Sequence, residues 1–187
     1  SYKTSVAHTL THTPPTVAAR ATNITAKLLE KGTDALEYAV RFCRENDLEV
    51  FCEFRMNDTH DANDSENGRK YIENNPLKRE HPELLCGSPY TRKFGQWSAV
   101  DYAHAKIRGM CVDMTGEAAQ NYDIDGISLD FFRHPCLFKS VYEDALATKE
   151  ETALVTQMMR DVRAALDREG DKKGRKLLLA VRVPDSV

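Results

Sequence analysis

Tyr122-Asp123-Ile124-Asp125-Gly126-Ile127-Ser128-Leu129-Asp130-Phe131-Phe132-Arg133-His134-Pro135 is an apolar run that ends in one carboxylate and then Arg-His-Pro. Strands buried on both faces read as near-continuous apolar runs, so the segment predicts a buried strand carrying Asp130 to its mouth. An ionisable group is costly to bury there and needs a purpose. A catalytic or binding site is one purpose; a structural ion pair with Arg55, Arg133 or Arg182 is the other, and the bare residues favour neither. Strand alternation sets Asp130 on the side of Ser128 and Phe132, opening into a barrel mouth, while Leu129 and Phe131 face outer helices.

Working outward, Leu36, Ala39, Val40 and Cys43 recur at helical spacing behind a Thr33-Asp34 cap. Residues 49–57 alternate as a strand with one polar face. About forty residues rich in Asn, Asp, Gly and Pro follow, a length that in a loop usually signals function or disorder. A helix is expected from Ala103 to Gln120, leading into the strand of Asp130. Thr148 and Glu151 form a capping box before the stripe Leu154, Val155, Met158, Met159, Val162 and Leu166, which ends before Gly170. Residues 175–183 make a last strand closed by Pro184, and Thr4 to Leu10 offers a further one. Strands alternating with helices predict an α/β fold with helical crossovers between parallel strands. The expected architecture is a (β/α)8 TIM-barrel type, with only part of the barrel in a single domain over 1–187, because such barrels usually run to about 250 residues. Polar residues gather at the carboxyl ends of the strands, in Arg55 to Asp61, Asp130 to His134 and Arg182 to Asp185, where barrel chemistry sits. A partial barrel exposes strand edges, so homo-oligomerisation or a missing C-terminal portion is expected.

Lys and Arg total 26 against 29 Asp and Glu, a net charge of -3 that provides no footprint for nucleic acid or an anionic membrane. No apolar run approaches the ~20 residues that span a bilayer. The five cysteines are scattered without a Cys-x-x-Cys pair, and read as free, buried thiols. Asn-x-Ser/Thr triplets at Asn23, Asn57 and Asn63 carry little weight alone.

A strand-end Asp can act as acid, base or nucleophile. Hydrolysis of a glycosidic bond usually needs two carboxyls, about 5–5.5 Å apart for retention and 6.5–9.5 Å for inversion. One member, Asp130, is visible; Glu53 lies early in its strand, and Asp58, Asp61 and Asp185 are candidates. Asp58, His60 and Asp61 sit on the first turn of the long loop, placed to bind sugar hydroxyls or one metal ion, or to serve with Asn57 as turn residues. The absence of a His-x-His pair argues against a metal, and no cofactor is expected. Trp97, beside Phe94 and Tyr102, either stacks on a pyranose or anchors the loop. Arg133 and His134 are placed to hold Asp130 or an anionic sugar, and Arg182 to face inward and pair with Glu53 or Asp130.

The run Asp125-Gly126-Ile127-Ser128-Leu129-Asp130-Phe131-Phe132-Arg133-His134-Pro135 resembles the Asp-Gly-Ile-His-Leu-Asp-Tyr-x-Arg-Tyr-Pro strand of the glycosyl-hydrolase-like family 10 proteins, regarded as (β/α)8 glycosidases. Arg55-Met56-Asn57-Asp58-Thr59-His60-Asp61 and Val181-Arg182-Val183-Pro184 are similar to a bacterial subgroup of that family. The resemblance implies that Asp130 is the catalytic carboxylate, and slightly favours an extracellular or periplasmic location. The strand is also similar to that of family 18 chitinases, with Asp125 and Asp130 matching two acids, but Ser128 and Phe132 replace the middle Asp and the terminal Glu. The expected function is a glycoside hydrolase acting on a poly- or oligosaccharide by carboxylate general acid/base catalysis. Arg55, Asn57, Asp58, His60, Asp61, Trp97, Arg133, His134 and Arg182 are the expected substrate contacts. The alternatives are a non-catalytic glycan-binding barrel domain and a metal-dependent hydrolase using Asp58, His60 or Asp61.

Overall fold

A computed structural model describes residues 2–9, 23–62, 75–88, 96–132 and 134–184. Its elements are α1 (Thr25–Glu30), α2 (Ala35–Glu45), β1 (Phe51–Arg55), α3 (Pro76–Glu80), α4 (Ala105–Asn121), β2 (Gly126–Asp130), α5 (Lys139–Tyr142), α6 (Lys149–Lys172) and β3 (Leu178–Arg182). The three strands are parallel in the order β1-β2-β3, and helices fill each crossover, as parallel pairing requires. The fold is α/β. Among the described residues the sheet stays three strands wide, and closure into a (β/α)8 barrel is not part of it.

Three helices, α2, α3 and α6, begin where a side chain accepts from a free amide of the first turn. Asp34 accepts from the Glu37 amide at the start of α2, and Thr148 and Glu151 make the reciprocal bonds of the capping box at the start of α6. The stripe of α6 buries Met158, Val162, Ala165 and Leu166. Together with Ile107, Cys111 and Ala118 of α4, it covers the face of β2 that carries Ile127 and Leu129, both wholly buried. Truncating either to Ala is expected to cost about 2–5 kcal/mol.

In a parallel sheet, register partners share a face. Cys52, Ile127 and Leu179 form one row and Phe54, Leu129 and Val181 the next, both on the helix side. The opposite face carries Glu53, Ser128 and Ala180, then Arg55, Asp130 and Arg182. Only Asp130 of those six is buried. β3 leaves Leu178 and Val181 half exposed on opposite faces, as expected of an edge strand among the described residues.

Three expectations change. Gly170 does not stop α6: it is buried inside the helix, where a Cβ would lie 2.5 Å from the Arg175 carbonyl oxygen. The returning chain crosses the helix over that glycine, and the turn falls instead at Gly174, whose φ of 67° suits a residue without Cβ. Thr4 to Thr9 contain a bend at 5–7 and no strand, with Thr4 and Ser5 held by the Glu117 carboxylate of α4; Leu10 lies outside the described residues. The long segment after β1 contains structure: a 3-10 turn at His60–Ala62, α3, a second 3-10 turn at Pro82–Leu84, and a bridge from Leu85 to Val100.

Gly126 opens β2 against both neighbours. A Cβ there would lie 2.5 Å from the Phe51 ring and 2.6 Å from the Leu178 carbonyl oxygen. Gly126→Ala is therefore expected to lower stability by about 1–3 kcal/mol in urea unfolding, and an unchanged midpoint would contradict the close approach. Beside it, Asp125 accepts from the Val50 amide and both terminal nitrogens of Arg44 at 2.8–2.9 Å. The Arg44 guanidinium, then the Val50 amide, hold the Asp125 carboxyl below its ordinary range against the opposing effect of burial. As pH falls the unfolded chain protonates first, so the bonds stabilise the fold above about pH 4 and their contribution fades below it. Asp125→Asn is expected to cost about 1–3 kcal/mol at pH 7, with the gap to the parent closing in acid. A gap that persists to pH 3 would contradict this.

Candidate functional site

The carboxyl ends of the strands bring three sequence-distant segments together. The row Arg55, Asp130 and Arg182 is set by backbone register, and the ladder continues past it, with the Met56 amide donating to the Asp130 carbonyl and the Phe131 amide to that of Arg182. Asp130 is 3% exposed. One carboxylate oxygen accepts from the Phe132 amide at 3.0 Å, and the other lies 3.5 Å from an Arg182 guanidinium nitrogen. Arg182 in turn lies over the Phe132 ring, 4.9 Å from its centroid. Of the two purposes open to Asp130, the ion pair is present, and its carboxylate does not open freely into a cleft. The Arg182 side chain that covers it is 57% exposed. A cleft of about 450 Å³ runs along β1 beneath residues 2–9, and its lining includes Glu53 and Arg55 but not Asp130.

Glu53 and Asp130 are the two acids that the strands place on the open face. Glu53 lies one row back on the neighbouring strand, which for strand spacings of about 4.8 Å and 3.3 Å per residue sets the two Cα atoms about 8 Å apart. It is exposed and accepts a long hydrogen bond, 3.4 Å, from Ser128.

Beyond the sheet, the segments after β1 and β2 converge. A donor atom from each of Asp58, His60 and His134 lies within 4.8 Å of the other two. The Asp58 carboxylate accepts from the His60 amide at 2.9 Å, meets the His60 ring nitrogen at 2.6 Å and takes a 3.2 Å bond from Arg55. Burial pushes the Asp58 carboxyl up, but the His60 amide and imidazole and the Arg55 guanidinium outweigh it and hold it at about 2. His134 Nδ1 lies 3.0 Å from the Asn57 carbonyl oxygen and 3.4 Å from the Thr59 amide. The two contacts belong to different tautomers: with Nδ1 protonated it donates to Asn57 and Nε2 keeps its lone pair, and with Nδ1 unprotonated it accepts from the Thr59 amide. The His60 and His134 rings meet edge to face at 5.2 Å.

Other expected contacts are placed elsewhere. The buried Asn57 side chain bonds Val100 and the Cys136 carbonyl, tying the two loops together, so it frames the rim without facing a ligand. The Asp61 carboxylate is taken by Lys78 Nζ at 2.8 and 3.0 Å and by the Ser98 hydroxyl. Trp97 is 4% exposed and donates to the Ala62 carbonyl at 3.0 Å; its ring is packed with Cys86 and Cys136, so it anchors the loop and presents no face for a sugar. Arg133, Phe94 and Asp185 lie outside the described residues. The five cysteines are free, and all but Cys43 are buried. Lys78 is the residue that sequence reasoning missed in this region: its pairing with an acid seventeen positions earlier leaves no periodic trace.

Comparison with known proteins gives a limited match. No family model matches the chain, and no curated protein matches it. Among solved structures, the chain is similar to a glycoside hydrolase family 18 N-acetylglucosaminidase from Paenibacillus barengoltzii, with 28% identity and a TM-score of 0.33 over 56% of this chain and 30% of that one. It is also similar to alpha-L-fucosidase isoenzyme 2 from Paenibacillus thiaminolyticus, with 16% identity and a TM-score of 0.42 over 81% of this chain and 23% of that one. The chain thus spans under a third of the length of either protein.

The two loop acids should respond differently to removal of charge. Asp61→Asn leaves the buried Lys78 ammonium without its partner and is expected to cost about 3–5 kcal/mol. Asp58→Asn, at an exposed position, is expected to cost under about 1 kcal/mol. Urea unfolding of both variants checks this; equal losses would contradict the division between framework and rim.

Proposed function

We propose that this chain is part of a carbohydrate-active hydrolase that cleaves a glycosidic bond at the carboxyl ends of its strands, with Asp130 as the catalytic carboxylate. The supporting observation is the row Arg55–Asp130–Arg182, which sets an acid between two cations at the edge where parallel α/β sheets receive ligands. Asp130, with Arg182 beside it, takes the part of nucleophile or base. The proton donor is then a second acid, for which Glu53 on the same face is the nearest strand residue. In this reading substrate reaches Asp130 when the Arg182 side chain lifts from it, and Arg55, Asp58, His60 and His134 are the proposed contacts to sugar hydroxyls. Arg133 is proposed with them from sequence alone.

The burial of Asp130 under Arg182 favours one competing reading, a glycan-binding domain in which the pair is structural. Turnover separates the two. The intact protein is assayed on a panel of aryl glycosides and oligosaccharides, and Asp130→Asn is expected to lower turnover by about 100-fold or more while the protein stays folded by circular dichroism. Oligosaccharide binding without product, or turnover unchanged in Asp130→Asn, would reject the catalytic role.

A further inference from the structure

The loop beyond β1 and the loop beyond β2 meet in a set of donors that glycosidic hydrolysis does not require. We propose that Asp58, His60 and His134 form a binding site for a divalent transition-metal ion of the zinc class, independent of the hydrolase reading. Two imidazoles and one carboxylate are a donor set suited to such an ion, and three protein ligands leave a coordination position for water or a ligand hydroxyl. Their donor atoms already lie within 4.8 Å of one another. Tetrahedral coordination with bonds near 2.0–2.1 Å sets donors about 3.3 Å apart, so closure needs shifts of at most about 1.5 Å.

The second observation concerns the orientation of His134. A metal-binding imidazole usually gives its other ring N–H to a carbonyl or carboxylate, which fixes the tautomer. His134 Nδ1 lies 3.0 Å from the Asn57 carbonyl, so the tautomer that donates there turns Nε2 to the ion, and Asn57 is itself fixed by its buried side-chain bonds to Val100 and Cys136. Part-buried His134 is therefore preset, whereas Asp58 and His60 have exposed side chains that can adjust to an ion.

Local charge permits a cation. Lys78 reaches the Asp58 carbonyl, but its ammonium is neutralised by Asp61. Arg55 is the one described cation bonded to the Asp58 carboxylate; its side chain is 50% exposed and can swing aside. With both imidazoles neutral, the three ligands together carry one negative charge. His81, paired with Glu83, belongs to none of this.

Zinc titrated into chelator-stripped protein, followed by calorimetry and by elemental analysis after gel filtration, tests the assignment. One equivalent per chain is expected, with a rise in melting temperature that grows with zinc concentration. His60→Ala and His134→Gln are each expected to weaken binding at least tenfold, and His81→Ala to leave it unchanged. The exposed side chain of His60 makes its variant safe for folding, so the test holds even if His134→Gln unfolds. Substoichiometric zinc, or zinc binding unaltered in His60→Ala, would overturn the site. Glycan turnover has no part in this readout, so its failure and that of the hydrolase proposal are distinguishable.

Discussion

β1 and β3 close on β2 over the space where Gly126 has no side chain, and that approach fixes the register from which the rest of the molecule is built. Shifting a strand by one residue would turn Ile127 and Leu129 out of the helix-covered core and carry Asp130 into it. The two buried aliphatics and the glycine thus select the same pairing. Asp125 reinforces it by binding the Val50 amide just before β1 begins. Everything at the far end of the sheet follows from that choice: Arg55 and Arg182 flank Asp130 because their Cα atoms are its register partners.

The same register explains why chemistry collects beyond the strands. Once Arg55 lies beside Asp130, the chain three to five residues past β1 and four residues past β2 must emerge at one rim. Asp58, His60 and His134 are those residues. Around them the loop builds a framework from polar groups that are buried and satisfied: Asn57 ties both loops, Asp61 engages Lys78 and Ser98, and Trp97 is pinned by its indole N–H. Such groups are costly to leave unpaired, so they hold the rim on which the exposed Asp58 and His60 sit.

Local signals in the sequence were enough for the three strands and the longer helices, but not for the short helices or the irregular loop. The capping box of Thr148 and Glu151, the stripe from Met158 to Leu166 and the apolar run into Asp130 each act within a few residues, and each appears in the structure at its expected place. Gly170 misled because a glycine inside a helix and one after its end look alike in sequence; what distinguishes them is the Arg175 carbonyl crossing overhead. For Asp61 and Trp97 the sequence offered a framework role beside a sugar contact, and the framework role is the one present; it could not name the partners, Lys78 and the Ala62 carbonyl, which are set by the packing of an irregular loop. The grouping of His134 with Asp58 and His60 could have been found by counting past each strand end from an assumed register. Asp130 shows the limit of such reasoning: alternation gave its side of the strand and Arg182 was among the partners expected for it, but which arginine takes it, and that its carboxylate is buried beneath that side chain, are set by tertiary packing.

Whether that cover conceals a working carboxylate is a question of distance to a second acid. A crystal structure of the intact protein measures it directly. The account expects another carboxyl within about 5–10 Å of that of Asp130, a separation that either course of glycosidic cleavage can use. No acid within that range, with Arg182 still closed over Asp130 in the presence of an oligosaccharide, would contradict it.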